Sequence, residues 1–261
     1  MNVASSPASL CGWSQEEWQI RCDLAALYRL CAHHRWTDWI FTHISARIPG
    51  PEHHFLLNRY GVMHHEIRAS DLVKIDRDGN PVEEMPGWDG RSQLVNAAGF
   101  VIHSAVHMAR EDAHFVIHTH TRDGIAVSAQ KEGLLPISQH AMKFHGRLAY
   151  HDYEGIALDE DERVRLVRDL GPHDAMILRN HGLLVCGPTA AEAYDTLYYL
   201  ERACSAQIAA QSGGAELVIP PEEVARRVAA QFRRPGYQQA RQVAWQAALR
   251  LIENDRPDWR S

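Results

Sequence analysis

The chain has 261 residues, 45% of them hydrophobic and 23% charged, with a formal net charge of −6. That length can bury the core of one large α/β domain or two small ones. The acidic balance and scattered basic residues exclude nucleic acid and anionic membranes as expected partners.

In chain order, residues 1–13 read as a flexible start, followed by Ser14-Gln-Glu-Glu17, a capping-box pattern that opens a helix to about His34. A meander of short strands is expected at 43–48, 55–57 and 72–75, with Asp78-Gly79-Asn80-Pro81 as a turn. A helical pattern runs from Asn96 to Ala109 and carries His103 and His107 on one face. A strand is then expected at 114–119, a short helix at 121–129 and a short strand at 135–138. The acidic run Asp159-Glu-Asp-Glu162 suits the first turn of a helix to about Leu170. Apolar strands at 175–178 and 183–186 flank the tight turn Asn180-His181-Gly182, and Thr189 caps a long helix to about Gln211. Gly213-Gly214 and Pro220-Pro221 break the chain before helices at 222–234 and 238–253. Residues 14–212 are thus one α/β domain with mixed or antiparallel strands, and 213–261 form a helical C-terminal extension. Trp245, Leu249 and Leu251 in that extension read as packing residues.

The most informative run is Phe115-Val-Ile-His118-Thr-His120. Strand side chains alternate faces, so His118 and His120 point the same way, with Cα atoms roughly 6.5–7 Å apart. Two such imidazoles can converge on one cation at about 2.0–2.1 Å each. His181, in a turn between two apolar strands, is the candidate third ligand; three His with an open position describe a catalytic metal site. His103 and His107 form a rival i, i+4 pair, but they lack the Glu of a helix-borne protease motif.

Ala-Gly-Phe-Val-Ile-His-Ser-Ala-Val-His at 98–107, Val-Ile-His-Thr-His at 116–120 and Leu-Arg-Asn-His-Gly-Leu at 178–183 occur in the order of the class II aldolase/adducin-type domain, which this chain resembles over roughly residues 15–212. The resemblance implies a three-layer α/β/α sandwich around a mainly antiparallel mixed sheet. It also implies a divalent metal on His118, His120 and His181, Zn2+ foremost, with Fe2+, Mn2+ or Co2+ as alternatives. It further implies a homo-oligomer, commonly a tetramer with active sites at subunit interfaces. The family's aldolases carry a Glu acid/base where this chain has Gly99, and their phosphate-binding stretches correspond here to Thr42-His43, Tyr60-Gly61 and Ala97-Ala98. Without those hydroxyl donors an anion cradle is missing, so a small non-phosphorylated hydroxy- or keto-acid is the expected substrate.

The expected reaction is metal-dependent C–C cleavage, retro-aldol or decarboxylation, with the metal polarising substrate oxygens. A non-haem Fe(II) oxygenase on the same three His, and a non-catalytic adducin-like interaction module, are the alternatives. His140 and Lys143 are candidates for the missing proton shuttle, and His103 for a donor to ligand or substrate. Arg59, beside Asn58, lies where the family binds its substrate's anionic end, and a guanidinium there grips a carboxylate bidentately. The five cysteines, at 11, 22, 31, 186 and 204, are odd in number and lack a C-x-x-C, which fits a reducing cytoplasm. No apolar run approaches the roughly 18 residues that span a bilayer. The opening Met-Asn-Val-Ala-Ser-Ser-Pro lacks the marks of a secretory signal.

Overall fold

A computed structural model describes residues 12–84, 94–155 and 160–261. The expectation of a flexible start falls mostly on residues 1–11, and the first residue of the acidic run is Asp159; both lie outside the described residues.

Seven strands form one sheet in the order β3-β2-β1-β4-β7-β6-β5. They are β1 (His43–Arg47), β2 (Phe55–Leu57), β3 (Val73–Ile75), β4 (Phe115–Thr119), β5 (Leu148–His151), β6 (Ala175–Leu178) and β7 (Gly182–Gly187). All neighbours pair antiparallel except β5 with β6. The helices are α1 (Gln15–His33), α2 (Ala97–Ala109), α3 (Arg122–Ser128), α4 (Gln139–Met142), α5 (Glu160–Leu170), α6 (Ala190–Gln211), α7 (Glu222–Gln231) and α8 (Tyr237–Asp255). No described helix is long and apolar enough to cross a membrane.

Period-two alternation builds the layers. On β4, Phe115 and Ile117 turn to the face where α1, α3, α6 and α8 pack; Ile44, Ala46, Leu183 and Val185 join them. Val116, Leu184 and Cys186 turn to the other face, against Ile102 and Val106 of α2 and Leu166 and Leu170 of α5. The sheet is therefore covered on both sides, as the three-layer expectation requires. Trp245, Ala248, Leu249 and Ile252 of α8 enter the same core as α1 and α6. Leu251 is 41% exposed and does not join them.

The caps follow the local sequence. Ser14 accepts from Glu17 N–H at 3.0 Å and Thr189 from Glu192 N–H at 3.2 Å. The Glu17 carboxylate does not close a capping box; Arg21 donates to it at 3.0 and 2.9 Å and Lys74 at 2.8 Å. The strand expected at 135–138 is absent. Pro136 has no N–H to give a ladder, Leu135 N–H donates to Gln207 Oε1 at 2.7 Å, and Ser138 caps α4 instead. β5 forms the edge of the sheet opposite β3 and ends at His151.

Candidate metal centre

β4 lies between β1 and β7, with His118 opposite His43 on one side and Leu184 on the other. His118 and His120 share a face, and Thr119 lies on the opposite one. There Glu201 of α6 accepts from Thr119 Oγ1 and Thr121 Oγ1, each at 2.8 Å. This carboxylate grips the chain on both sides of His120 from behind the sheet.

His181 arrives from the β6–β7 turn. Asn180 turns there with φ 55°, a left-handed conformation that Asn tolerates better than most residues. Gly182 lets β7 close on β4, because a Cβ there would sit 2.2 Å from the Thr119 carbonyl oxygen.

These elements bring three Nε2 atoms together. His118 Nε2 is 2.8 Å from His120 Nε2, which is 2.9 Å from His181 Nε2. His118 Nδ1–H donates to the Leu183 carbonyl at 2.9 Å, and His120 Nδ1–H to Asp38 Oδ2 at 3.0 Å. In the neutral form that binds a metal an imidazole has one N–H, and with that hydrogen on Nδ1 each ring offers its Nε2 lone pair inward. Lone pairs facing each other at that distance repel unless a cation lies between them. The donor set therefore fits a metal: neutral imidazoles, outer nitrogens fixed by a carbonyl and a carboxylate, inner nitrogens convergent. Imidazoles sharing a tetrahedral Zn2+ sit roughly 3.3 Å apart from nitrogen to nitrogen, given bonds of about 2.0–2.1 Å. A few tenths of an ångström of opening accommodates the ion. Among the described residues no carboxylate joins the three His ligand atoms.

Burial, then the neighbouring His120, His181 and His43, hold His118 well below the usual imidazole range. Burial and His120 lower His181 to about 4. These imidazoles are neutral near pH 7, the form a metal requires.

Beside the triad runs a second chain of buried histidines. The His43 ring centroid is 5.5 Å from that of His118. His43 Nδ1 meets His103 Nε2 at 2.8 Å; His103 Nδ1 meets Ser45 Oγ at 2.6 Å. Ser45 Oγ meets His107 Nε2, and His107 Nδ1 meets the Ala113 carbonyl, both at 2.7 Å. Burial lowers His43 and His107 each to about 3 and holds His103 well below the usual imidazole range. His103 therefore sits in a buried relay one imidazole removed from His118.

The other sequence candidates lie elsewhere or are engaged. Lys143 pairs with Asp195 at 2.5 Å beneath the Tyr199 ring, and burial lowers its amine to about 8. His140 packs on Tyr199, ring centroids 5.2 Å apart. Asn58 Oδ1 accepts from Tyr28 O–H at 2.8 Å, and its Nδ2 donates to the Arg59 carbonyl at 3.3 Å. Arg59 lines a cleft of about 1060 Å³ with Trp13, Arg68, Lys74 and Glu83, which includes none of the three clustered His.

The sequence marks His43 only as part of the Thr42-His43 stretch, and does not mark Asp38, Ser45 or Glu201. His43 and Ser45 alternate on an expected strand, so their shared face was readable. Their position next to β4 was not, and nothing local marks Glu201 or Asp38.

Comparisons with known proteins agree with this fold. Residues 22–208 match the family described as Class II Aldolase and Adducin N-terminal domain. The crystal structure of an aldolase II superfamily protein from Pseudomonas syringae is 55% identical, with TM-score 0.90 over 95% of this chain and 97% of that one. L-fuculose 1-phosphate aldolase from Glaciozyma antarctica PI12 is 27% identical, with TM-score 0.80 over 94% of this chain and 93% of that one. Alpha-adducin of Rattus norvegicus is 41% identical over 211 residues, 79% of this chain but 28% of the adducin.

Proposed function

Because this chain belongs to the class II aldolase and adducin N-terminal domain family, we propose that it is a divalent-metal-dependent lyase. It cleaves a C–C bond, by retro-aldol reaction or decarboxylation, in a small non-phosphorylated hydroxy- or keto-acid. The observation that carries this reading is the convergence of His118, His120 and His181 through nitrogens whose opposite edges are already committed. A divalent cation held there, Zn2+ first among the candidates, supplies Lewis-acid polarisation of carbonyl and hydroxyl oxygens.

The chain's own residues do the positioning. The Leu183 carbonyl and Asp38 set the tautomers and ring planes of His118 and His120. Glu201 fixes the backbone on either side of His120 through Thr119 and Thr121. Tyr153 stands beside His181, its ring centroid 6.3 Å from that of the imidazole. The reading extends to a homotetramer working in the cytoplasm, which the free buried cysteines at 22, 31, 186 and 204 support.

Similarity to alpha-adducin supports a second reading, a non-catalytic interaction module. The intact three-His cluster weighs for the lyase, because a module has no use for facing imidazole lone pairs. Metal analysis of protein purified without chelators, combined with a cleavage screen over short hydroxy- and keto-acids, tests the two. One equivalent of metal per chain, lost in His118→Ala along with cleavage, is expected. A metal-free wild type of unchanged stability overturns the lyase.

A further inference from the structure

The buried chain beside the triad has only one consistent arrangement of protons. The Ala113 carbonyl can only accept, so His107 Nδ1 carries the hydrogen of the 2.7 Å bond between them. His107 is fully buried and no carboxylate belongs to this chain of bonds, so its Nε2 is bare and Ser45 O–H donates to it. A hydroxyl has one hydrogen, so Ser45 Oγ accepts from His103 Nδ1–H. His103 Nε2 is then bare and takes the hydrogen of His43 Nδ1. One backbone carbonyl thereby sets the tautomer of an imidazole four hydrogen bonds away, leaving His43 Nε2 as an acceptor.

Among the described residues that nitrogen has no hydrogen-bond partner, in a ring that is only 3% exposed. Gly99 supplies no side chain to cover it; a Cβ at that position would lie 2.5 Å from it. His43 shares a sheet face with His118 as its cross-strand partner.

We propose that His43 Nε2 is the acceptor that reads a hydroxyl on the ligand, so the site takes a 2-hydroxy acid in preference to the matching 2-keto acid. A hydroxyl donates into the bare lone pair. A keto oxygen at the same place turns its own lone pairs on it and leaves a buried acceptor unpaired. This inference rests on the metal-dependent reading of the same site and narrows its substrate class to hydroxy acids.

The test compares the zinc-loaded full chain binding lactate, each enantiomer separately, with pyruvate by calorimetry. At least one lactate is expected to bind about five- to tenfold more tightly than pyruvate, the worth of one net hydrogen bond. In His43→Phe, which keeps a ring but no acceptor, the preference collapses to within twofold. Ser45→Ala, which cuts the relay without touching His43, reduces it too. Nitrogen-15 spectra of metal-free wild type give an independent readout: His43 protonated on Nδ1 supports the proposal, and on Nε2 overturns it. Zinc bound normally with equal affinities, or with neither acid bound, sinks the hydroxyl preference and leaves the lyase reading standing. Failure to bind zinc removes both.

Discussion

The imidazole of His43 occupies the space beside Gly99 that any larger residue would need: a Cβ on Gly99 would meet Cδ2 at 2.3 Å and Cγ at 2.6 Å. Gly99 lies inside α2, where Ala is favoured over Gly by about 1 kcal/mol. Overpacking a buried contact costs about 1–3 kcal/mol, and the His43 ring cannot swing away without breaking its bond to His103. Gly99→Ala is therefore expected to lower stability by about 1–2 kcal/mol on balance, measured by urea unfolding. The same change in a His43→Ala background is expected to be neutral or stabilising, since the clash partner is gone. Equal penalties in both backgrounds would refute the packing relationship.

Acid should unfold this protein early. Burial lowers His43 and His107 to about 3, and His34 and His64 to about 4, against an ordinary value of 6.5. The unfolded chain binds these protons from about pH 6.5 downward, while the folded chain refuses them. More protons on the unfolded state means that stability rises with pH. It is fully present above about 6.5 and lost toward 4. With four such groups the slope approaches about 5 kcal/mol per pH unit, so a cooperative transition near pH 5 is expected in a circular-dichroism titration. A fold that survives intact to pH 4 would contradict the buried neutral histidines.

Glu201 works in the opposite direction. Burial raises its carboxyl to about 7 from 4.5, against the opposing pull of Thr121 and Thr119. Between those values the folded state holds a proton that the unfolded state has released, so this group's contribution is present below about 4.5 and is lost as pH rises to 7. The loss is about 3 kcal/mol. Glu201→Gln, which can still accept from one Thr and donate to the other, should be more stable than wild type at pH 7 and similar at pH 4.5. Parallel stability–pH curves for the two proteins would argue against a protonated Glu201.

Lys143 has a structural assignment to test. Its ion pair with Asp195 is 92% buried on the lysine side, and Asp195 is also held by Arg241 at 3.1 Å and Tyr237 at 3.0 Å. Lys143→Met should cost about 2–3 kcal/mol, below the usual penalty for breaking a buried pair because two partners remain. Zinc stoichiometry should not change, since Lys143 supplies nothing to the triad. Loss of zinc in a folded Lys143→Met protein would place the residue at the metal site after all.

Much of this was readable residue by residue. Ser14 and Thr189 announce their helices through the hydrogen bonds of a single turn, and the alternation on β4 tells which way His118 and His120 point. Local signals fail where a partner comes from far along the chain. The 135–138 run has strand composition, yet Pro136 and the distant Gln207 claim its backbone. Lys143 reads as a candidate proton shuttle and Asn58 as a candidate substrate contact. Asp195 and Tyr28, 52 and 30 residues away, had already engaged them.

The HxH pair, the NHG turn and their order along the chain are properties of the sequence alone, because strand periodicity and turn chemistry act over a few residues. They determined the family, the three-layer fold and the identity of three convergent nitrogens. The register of β1 against β4 depends on residues 75 apart meeting in one core. Only the tertiary structure could decide it, and with it that His43 stands next to His118. The same long-range packing set its ring against Gly99 and tied its tautomer to the carbonyl of Ala113.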